Sequence, residues 1–314
     1  MKTLPGWAAI VIALGLFAIW SNTFIAIGYL LGAELSAARF DAVGLTVARA
    51  LPSGLVCSLY CFGFRPRESI ALLRRHGFRL ALCGLLVVPI YNLCLFLGQE
   101  HGVAAPIASI TTALAPLFIL VLSVIFLGES KTPQKLAGLA LSLLGMATIA
   151  AAHPTGGNYG LMVAVTALAP LSWSIYSVIC KPLTREVSPL LLTYLPISLG
   201  TLPLLAIAPF KGLPEMVALD STGWAAVLYL SLLATVLGFA LWTYLLRSLP
   251  ASTVGLTVFL NPPMTLLSKA ALASLLPAVF TFRILPLEWL GGGLALAGLA
   301  VATVLPRRPS TPPP

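Results

Sequence analysis

The sequence predicts an all-α integral membrane protein: ten transmembrane helices in two inverted-topology five-helix repeats, with both termini cytoplasmic. Three observations carry that prediction. Hydrophobic residues make up 59% of the 314-residue chain and charged residues 9%, with a mean hydropathy of +1.01, a balance outside that of soluble domains. Apolar runs of about 20 residues, the length that crosses a hydrocarbon core, follow one another with short polar breaks. Lys and Arg collect in alternate breaks.

The runs fall at 7–29, 42–63, 78–98, 104–127, 134–151, 158–180, 189–209, 223–246, 251–275 and 287–305. None alternates apolar and polar residues at half this length, as membrane β-strands do. The first run follows Lys2 in the manner of a signal peptide, but no secreted domain succeeds it, so it reads as a retained helix. With the N-terminus inside, the inner breaks hold thirteen of the 18 basic residues and the outer breaks hold Arg39, Lys211 and Arg283. Arg49 and Lys269 lie within runs; each either snorkels to a head group or faces a cavity. The net charge of +9 is therefore a topology signal, and no nucleic-acid partner follows from it.

The chain resembles itself. WSNTFIAIGYL (Trp20–Leu30) lies over WSIYSVICKPL (Trp173–Leu183) at an offset of 153, and a similar offset sets LAGLALSLLG against LGGGLALAG. Between these the offset is 146, placing AAPIAS over PASTVG and Pro116 over Pro262. An odd number of spans per copy makes the second copy enter the membrane from the other side, and the solute site of such architectures lies near the midplane where the copies meet. Residues 1–152 and 153–306 are thus expected as the two repeats, with 307–314 (RRPSTPPP) as a disordered tail. Glu129 ends the fourth run, and no acid stands at its counterpart in the second copy.

The WSN near the start, Arg49 in LTVARALPSGL, the aromatic third run (PIYNLCLFLGQEHGVAAPIAS), LAPLFILVLSVIFLGES and the Gly-bearing fifth run resemble the EamA-type branch of the drug/metabolite transporter superfamily. Within it the chain is most similar to the bacterial YddG-type aromatic amino-acid exporters. The resemblance implies a multi-pass carrier of the inner (plasma) membrane that exports small solutes by alternating access.

Polar and aromatic residues inside the runs mark the expected site. Trp20 and Asn22 interrupt the first run, and Trp173 and Tyr176 occupy the same region of the second copy; a central cavity lined by both copies explains all four. Ser21 and Thr23 suit helix-to-helix hydrogen bonds equally well. Tyr91, Asn92 and Phe96 share a broad face of the third run, the repeat lays Trp242 over Phe96, and Tyr244 is close by. Rings with a few amides suit a small amphipathic solute such as an aromatic or other neutral amino acid. A drug or other metabolite is the alternative, and a phosphate-bearing solute would need more cavity cations than Arg49 and Lys269. None of the nine acids falls in the middle of a run, which favours transport down the solute gradient over proton coupling.

Five cysteines lie within apolar runs without metal-site spacing, and no phosphate-binding GxxxxGK[ST] occurs, so no cofactor or metal is expected. A membrane enzyme would need clustered carboxylates or histidines, which are missing. The expected partners are the small-molecule substrate and the bilayer, the chain being a monomer, with a dimer through the Gly-rich fifth and tenth runs as the alternative.

Overall fold

A bilayer gives the backbone no water to bond, so apolar segments that enter it must satisfy their own N–H and C=O groups. The computed structural model does so with helices throughout, and no strand occurs among the described residues, which are 6–32, 38–129, 132–151, 159–276 and 286–304. The expected tail at 307–314, and residues 277–285 between the ninth and tenth runs, lie outside them.

The helices, in chain order, are α1 (Gly6–Leu30), α2 (Ala42–Ser58), α3 (Pro66–Leu85), α4 (Tyr91–Glu100), α5 (Ala105–Thr112), α6 (Ala115–Leu127), α7 (Pro133–Ala151) and α8 (Tyr159–Leu183). The remainder are α9 (Pro189–Leu205), α10 (Leu213–Val217), α11 (Ser221–Leu228), α12 (Gly238–Ser248), α13 (Ala251–Leu256), α14 (Asn261–Leu275) and α15 (Pro286–Val304). Among the described residues, six stretches of helix are long and apolar enough to cross a membrane: Trp7–Leu30, Ala42–Phe64, Pro66–Glu100, Ile107–Leu127, Leu161–Leu183 and Ser221–Ser248.

Several of these stretches are irregular at mid-length. Pro89 lacks an N–H and clashes with the preceding turn, so Leu86–Ile90 widens into a π-helical turn between α3 and α4. Asn92 Nδ2 then donates to the loosened Val88 carbonyl at 2.7 Å. Between α11 and α12, Tyr229–Leu237 is also π-helical, and side chains again serve its carbonyls: Thr235 Oγ1 bonds Leu230 O at 2.8 Å and Trp20 Nε1 bonds Ala234 O at 2.9 Å. Pro116 separates α5 from α6 by a turn, and a 3₁₀ segment, Thr257–Leu260, precedes Pro262 in α14.

Helix starts use side-chain caps where the sequence provides them. Asp41 accepts from Gly44 N at 2.6 Å, Asp220 from Gly223 N at 2.9 Å and Ser188 from Leu191 N at 3.3 Å, each satisfying one donor that the helix leaves open. Packing then depends on small residues. A Cβ on Gly84 of α3 would stand 2.3 Å from Pro196 O and 2.7 Å from Gly200 N of α9, so these backbones touch because neither residue carries a side chain. In the same bundle α4 and α6 pack on α8, α1 on α14, and α7 along α15.

Candidate functional site

The mid-length breaks converge on one cavity. It is lined by Trp20, Thr23 and Phe24 of α1, Arg49 of α2, Tyr91 of α4, Thr112 and Ala115 around the α5–α6 turn, and Pro170 and Trp173 of α8. Phe239 of α12, Val258 and Asn261 complete it. Three pairs of these residues stand at the offsets of the internal repeat: 20 with 173, 112 with 258, and 115 with 261. The space open to water amounts to about 40 Å³, room for about three waters.

Rings form most of the wall. Trp20 and Trp173 meet edge to face with centroids 5.3 Å apart, and Phe239 lies 4.8 Å from Trp173 and 6.0 Å from Trp20. Tyr91 is 5.8 Å from Trp173. Trp242 sits behind this layer, fully buried, 5.6 Å from Trp20 and 5.3 Å from Trp173, with its Nε1 donating to Ser177 Oγ at 3.2 Å. Tyr176 backs Trp173 at 5.2 Å, and its hydroxyl pairs with Thr243 Oγ1 at 3.4 Å. Edge-to-face and tilted ring pairs of this kind hold one another in fixed orientations.

The polar groups of the site come from fewer residues. Arg49 is 3% exposed; its Nε donates to Thr235 Oγ1 at 2.9 Å and its Nη1 to Asn92 Oδ1 at 3.0 Å. Asn92 is thus spent on Arg49 and on Val88 O, behind the wall. Asn261, 4% exposed, has a buried Oδ1 that accepts no hydrogen bond among the described residues.

Of the residues singled out from sequence, Trp20, Tyr91 and Trp173 line the cavity, while Asn92, Tyr176 and Trp242 support it from behind. Phe96 is fully buried without lining it. Asn22 and Tyr244 lie elsewhere: Asn22 opens on a groove with Ala18, Tyr29, Tyr229 and Leu272, its Nδ2 bonded to Ala18 O at 2.9 Å, and Tyr244 is 41% exposed. Phe239 and Asn261 were absent from that set. Phe239 was available as the residue one helical turn before Trp242, and Asn261 as the amide beside the Pro262–Pro263 pair.

Polar contacts join helix ends on either side of the cavity. At one end Glu129 accepts from Ala251 N at 2.8 Å, Ser252 N at 3.3 Å and Ser252 Oγ, with Lys135 Nζ 2.6 Å from that hydroxyl. Lys181 Nζ there donates to Leu246 O and Leu249 O, both at 2.5 Å. At the other end Arg39 reaches Asp220 at 3.4 Å and lies 4.5 Å over the Tyr29 ring, Lys211 pairs with Asp41, and Glu100 accepts from Ala42 N at 3.1 Å. Hydrogen bonds from Thr222 and Gly223, then Arg39, push the Asp220 pKa down to about 2.

Helices long and apolar enough to cross a membrane, broken around an aromatic cavity, are the architecture of an integral membrane transport protein. The EamA-like transporter family matches residues 7–151 and again 160–304, and the chain belongs to that family. It is a transporter and not an enzyme, with multiple passes through the inner membrane. It is 31% identical over 292 residues to a "Probable terminal-alkyne amino-acid exporter" of Streptantibioticus cattleyicolor, covering 89% of this chain and 88% of the relative. An "Uncharacterized inner membrane transporter YedA" of Escherichia coli K12 is 24% identical, covering 71% of this chain and 70% of its own. A solved crystal structure at 20% identity superposes with a TM-score of 0.67 over 95% of this chain and 97% of that one, a likeness of fold.

Proposed function

We propose that the chain is a secondary exporter of aromatic and other neutral amino acids, working by alternating access with ten spans in two inverted repeats and cytoplasmic termini. The observation that carries this reading is the pairing of Trp20 with Trp173, repeat-related residues whose rings meet 5.3 Å apart in the wall of a cavity drawn from both halves. Solute sites at the interface of inverted repeats, near breaks in the spans, are the recurring arrangement of such carriers. The relative named as an amino-acid exporter supports the solute class.

The cavity is far smaller than the roughly 300–1,000 Å³ of small-molecule sites. Admission of a ring-bearing solute therefore requires spans to part, and in the proposed topology the Glu129 contacts close the cytoplasmic end. Among the described residues no carboxylate lines the cavity, which supports transport driven by the solute gradient.

Counterflow of labelled Phe, Trp, Thr and Lys in proteoliposomes, with and without a pH gradient and alongside Trp20→Ala, tests this. The expected result is movement of the aromatic solutes that needs Trp20 and ignores the gradient. Movement of other metabolites with no amino acid carried would overturn the solute class, and movement that follows the pH gradient would overturn the facilitative mechanism.

A further inference from the structure

The cavity contains two polar groups whose bonding within the protein is incomplete, and they are of opposite kind. Arg49 has five N–H donors in a planar fork. Two of them are used, by Thr235 Oγ1 and Asn92 Oδ1. The other three have no partner, and no carboxylate forms an ion pair with Arg49, among the described residues. A guanidinium 3% exposed at membrane depth is costly without a counter-charge. Across the same cavity Asn261 presents a buried Oδ1, an acceptor with no donor. A buried amide oxygen left in this way carries the full penalty of its lost hydration.

We infer that Arg49 and Asn261 form a clamp for the zwitterionic head of an amino acid, Arg49 taking the α-carboxylate and Asn261 Oδ1 the α-ammonium, while Trp20, Tyr91, Trp173 and Phe239 hold an apolar side chain. This inference rests on the proposed function and deepens it by naming what the solute's two ends must be. Each feature of the site fits the assignment. Thr235 and Asn92 fix the guanidinium by two of its edges and leave the rest of the fork for a carboxylate, the geometry in which Arg binds that group best. Asn92, tied also to Val88 O, is a positioning residue, and Thr235 bonds Leu230 O in the same role. Arg49 supplies a counter-charge for one carboxylate and Asn261 Oδ1 an acceptor for one ammonium N–H, the two groups of an α-amino acid head; a dianion would bring a second carboxylate with no cation to meet it, and a solute with no anionic group would leave Arg49 unpaired. The repeat partner of Asn261 is Ala115, so only one half of the protein supplies the ammonium contact, and the solute binds in one orientation.

The test compares solutes that lose one end at a time, as competitors of labelled phenylalanine counterflow: phenylalanine itself, phenylalaninamide and phenethylamine without the carboxylate, and 3-phenylpropionate without the ammonium. On the wild-type protein, loss of the carboxylate is expected to weaken competition about tenfold or more, the scale of a hydrogen-bonded charge, and loss of the ammonium severalfold. Arg49→Gln should weaken phenylalanine about tenfold or more while leaving phenylalaninamide unchanged, with Arg49→Lys intermediate. Asn261→Leu should weaken phenylalanine while leaving 3-phenylpropionate unchanged. Wild-type protein that carries phenylalanine but accepts phenylalaninamide and 3-phenylpropionate equally well overturns the clamp and leaves the exporter standing, with no variant needed. Wild-type protein that carries no amino acid overturns both, so the two failures are told apart.

Discussion

Gly238→Ala is the most informative single perturbation, because one methyl on α12 displaces a ring of the cavity wall, Trp20, without altering any residue that lines the cavity. A Cβ at Gly238 would stand 2.4 Å from Trp20 Nε1 and 3.2 Å from Cε2, whereas ordinary contact begins at 3.4 Å. The indole must therefore retreat by about 1 Å or the two helices must part. Its hydrogen bond to Ala234 O, now 2.9 Å, stretches beyond bonding range, and a carbonyl of the π-helical turn loses its donor. Loss of such a partner costs about 1–3 kcal/mol. Carried through to solute affinity, that is about a 5- to 150-fold rise in KM. The assay is phenylalanine counterflow in proteoliposomes with tryptophan emission recorded on the same samples. Gly15→Ala, in the same helix as Trp20 and with nothing within 4 Å of its Cβ, is the control. A Gly238→Ala protein whose KM and emission match those of Gly15→Ala would refute the argument that the Trp20 position sets the site.

Three further outcomes are expected. Gly84→Ala places a methyl against Pro196 O and should cost about 1–3 kcal/mol, read as a drop of several degrees in Tm in detergent, while Gly63→Ala, with open space around its Cβ, leaves Tm in place. Glu129→Gln removes a carboxylate from the first N–H groups of α13, so amide exchange at Ala251 and Ser252 should rise about tenfold; unchanged exchange would show that the cap contributes nothing. Asp220 has its pKa held near 2 by Thr222, Gly223 and Arg39, against an ordinary value of 3.8. A depressed carboxylate pKa stabilises the fold above the unfolded value and loses that effect as pH falls through the folded one. The Tm gap between wild type and Asp220→Asn should therefore be constant from about pH 5 to 8 and shrink only below about pH 4.

How far the site was legible in the sequence depends on helix geometry. The internal repeat pointed to Trp20 and Trp173, because two copies of one fold carry a wall residue to the same depth. The cluster from Trp20 to Thr23 was harder, since consecutive residues on a helix point about 100° apart. Trp20 and Thr23 share the cavity face, and Asn22, two residues from Trp20, is turned to the lateral groove. The same rotation separates Tyr244 from Trp242. Arg49 could not be assigned from sequence, because snorkelling and burial place the same residue in the same apolar run. What decides is Thr235, 186 positions away, and that contact has no local signature. The π-helical turn after Leu228 was likewise hidden: Tyr229–Leu237 contains no proline, and its extra carbonyls are served by residues as distant as Trp20.

The central claim is that the aromatic cavity between the two halves is where the solute binds. Photolabelling of the protein in proteoliposomes with 4-azidophenylalanine, with and without excess phenylalanine, followed by peptide mapping, tests it most directly. The account predicts label that phenylalanine displaces from segments containing Trp20, Trp173 and Phe239. Displaceable label confined to the grooves lined by Leu122 and Phe126, or by Asn22 and Tyr29, would contradict it.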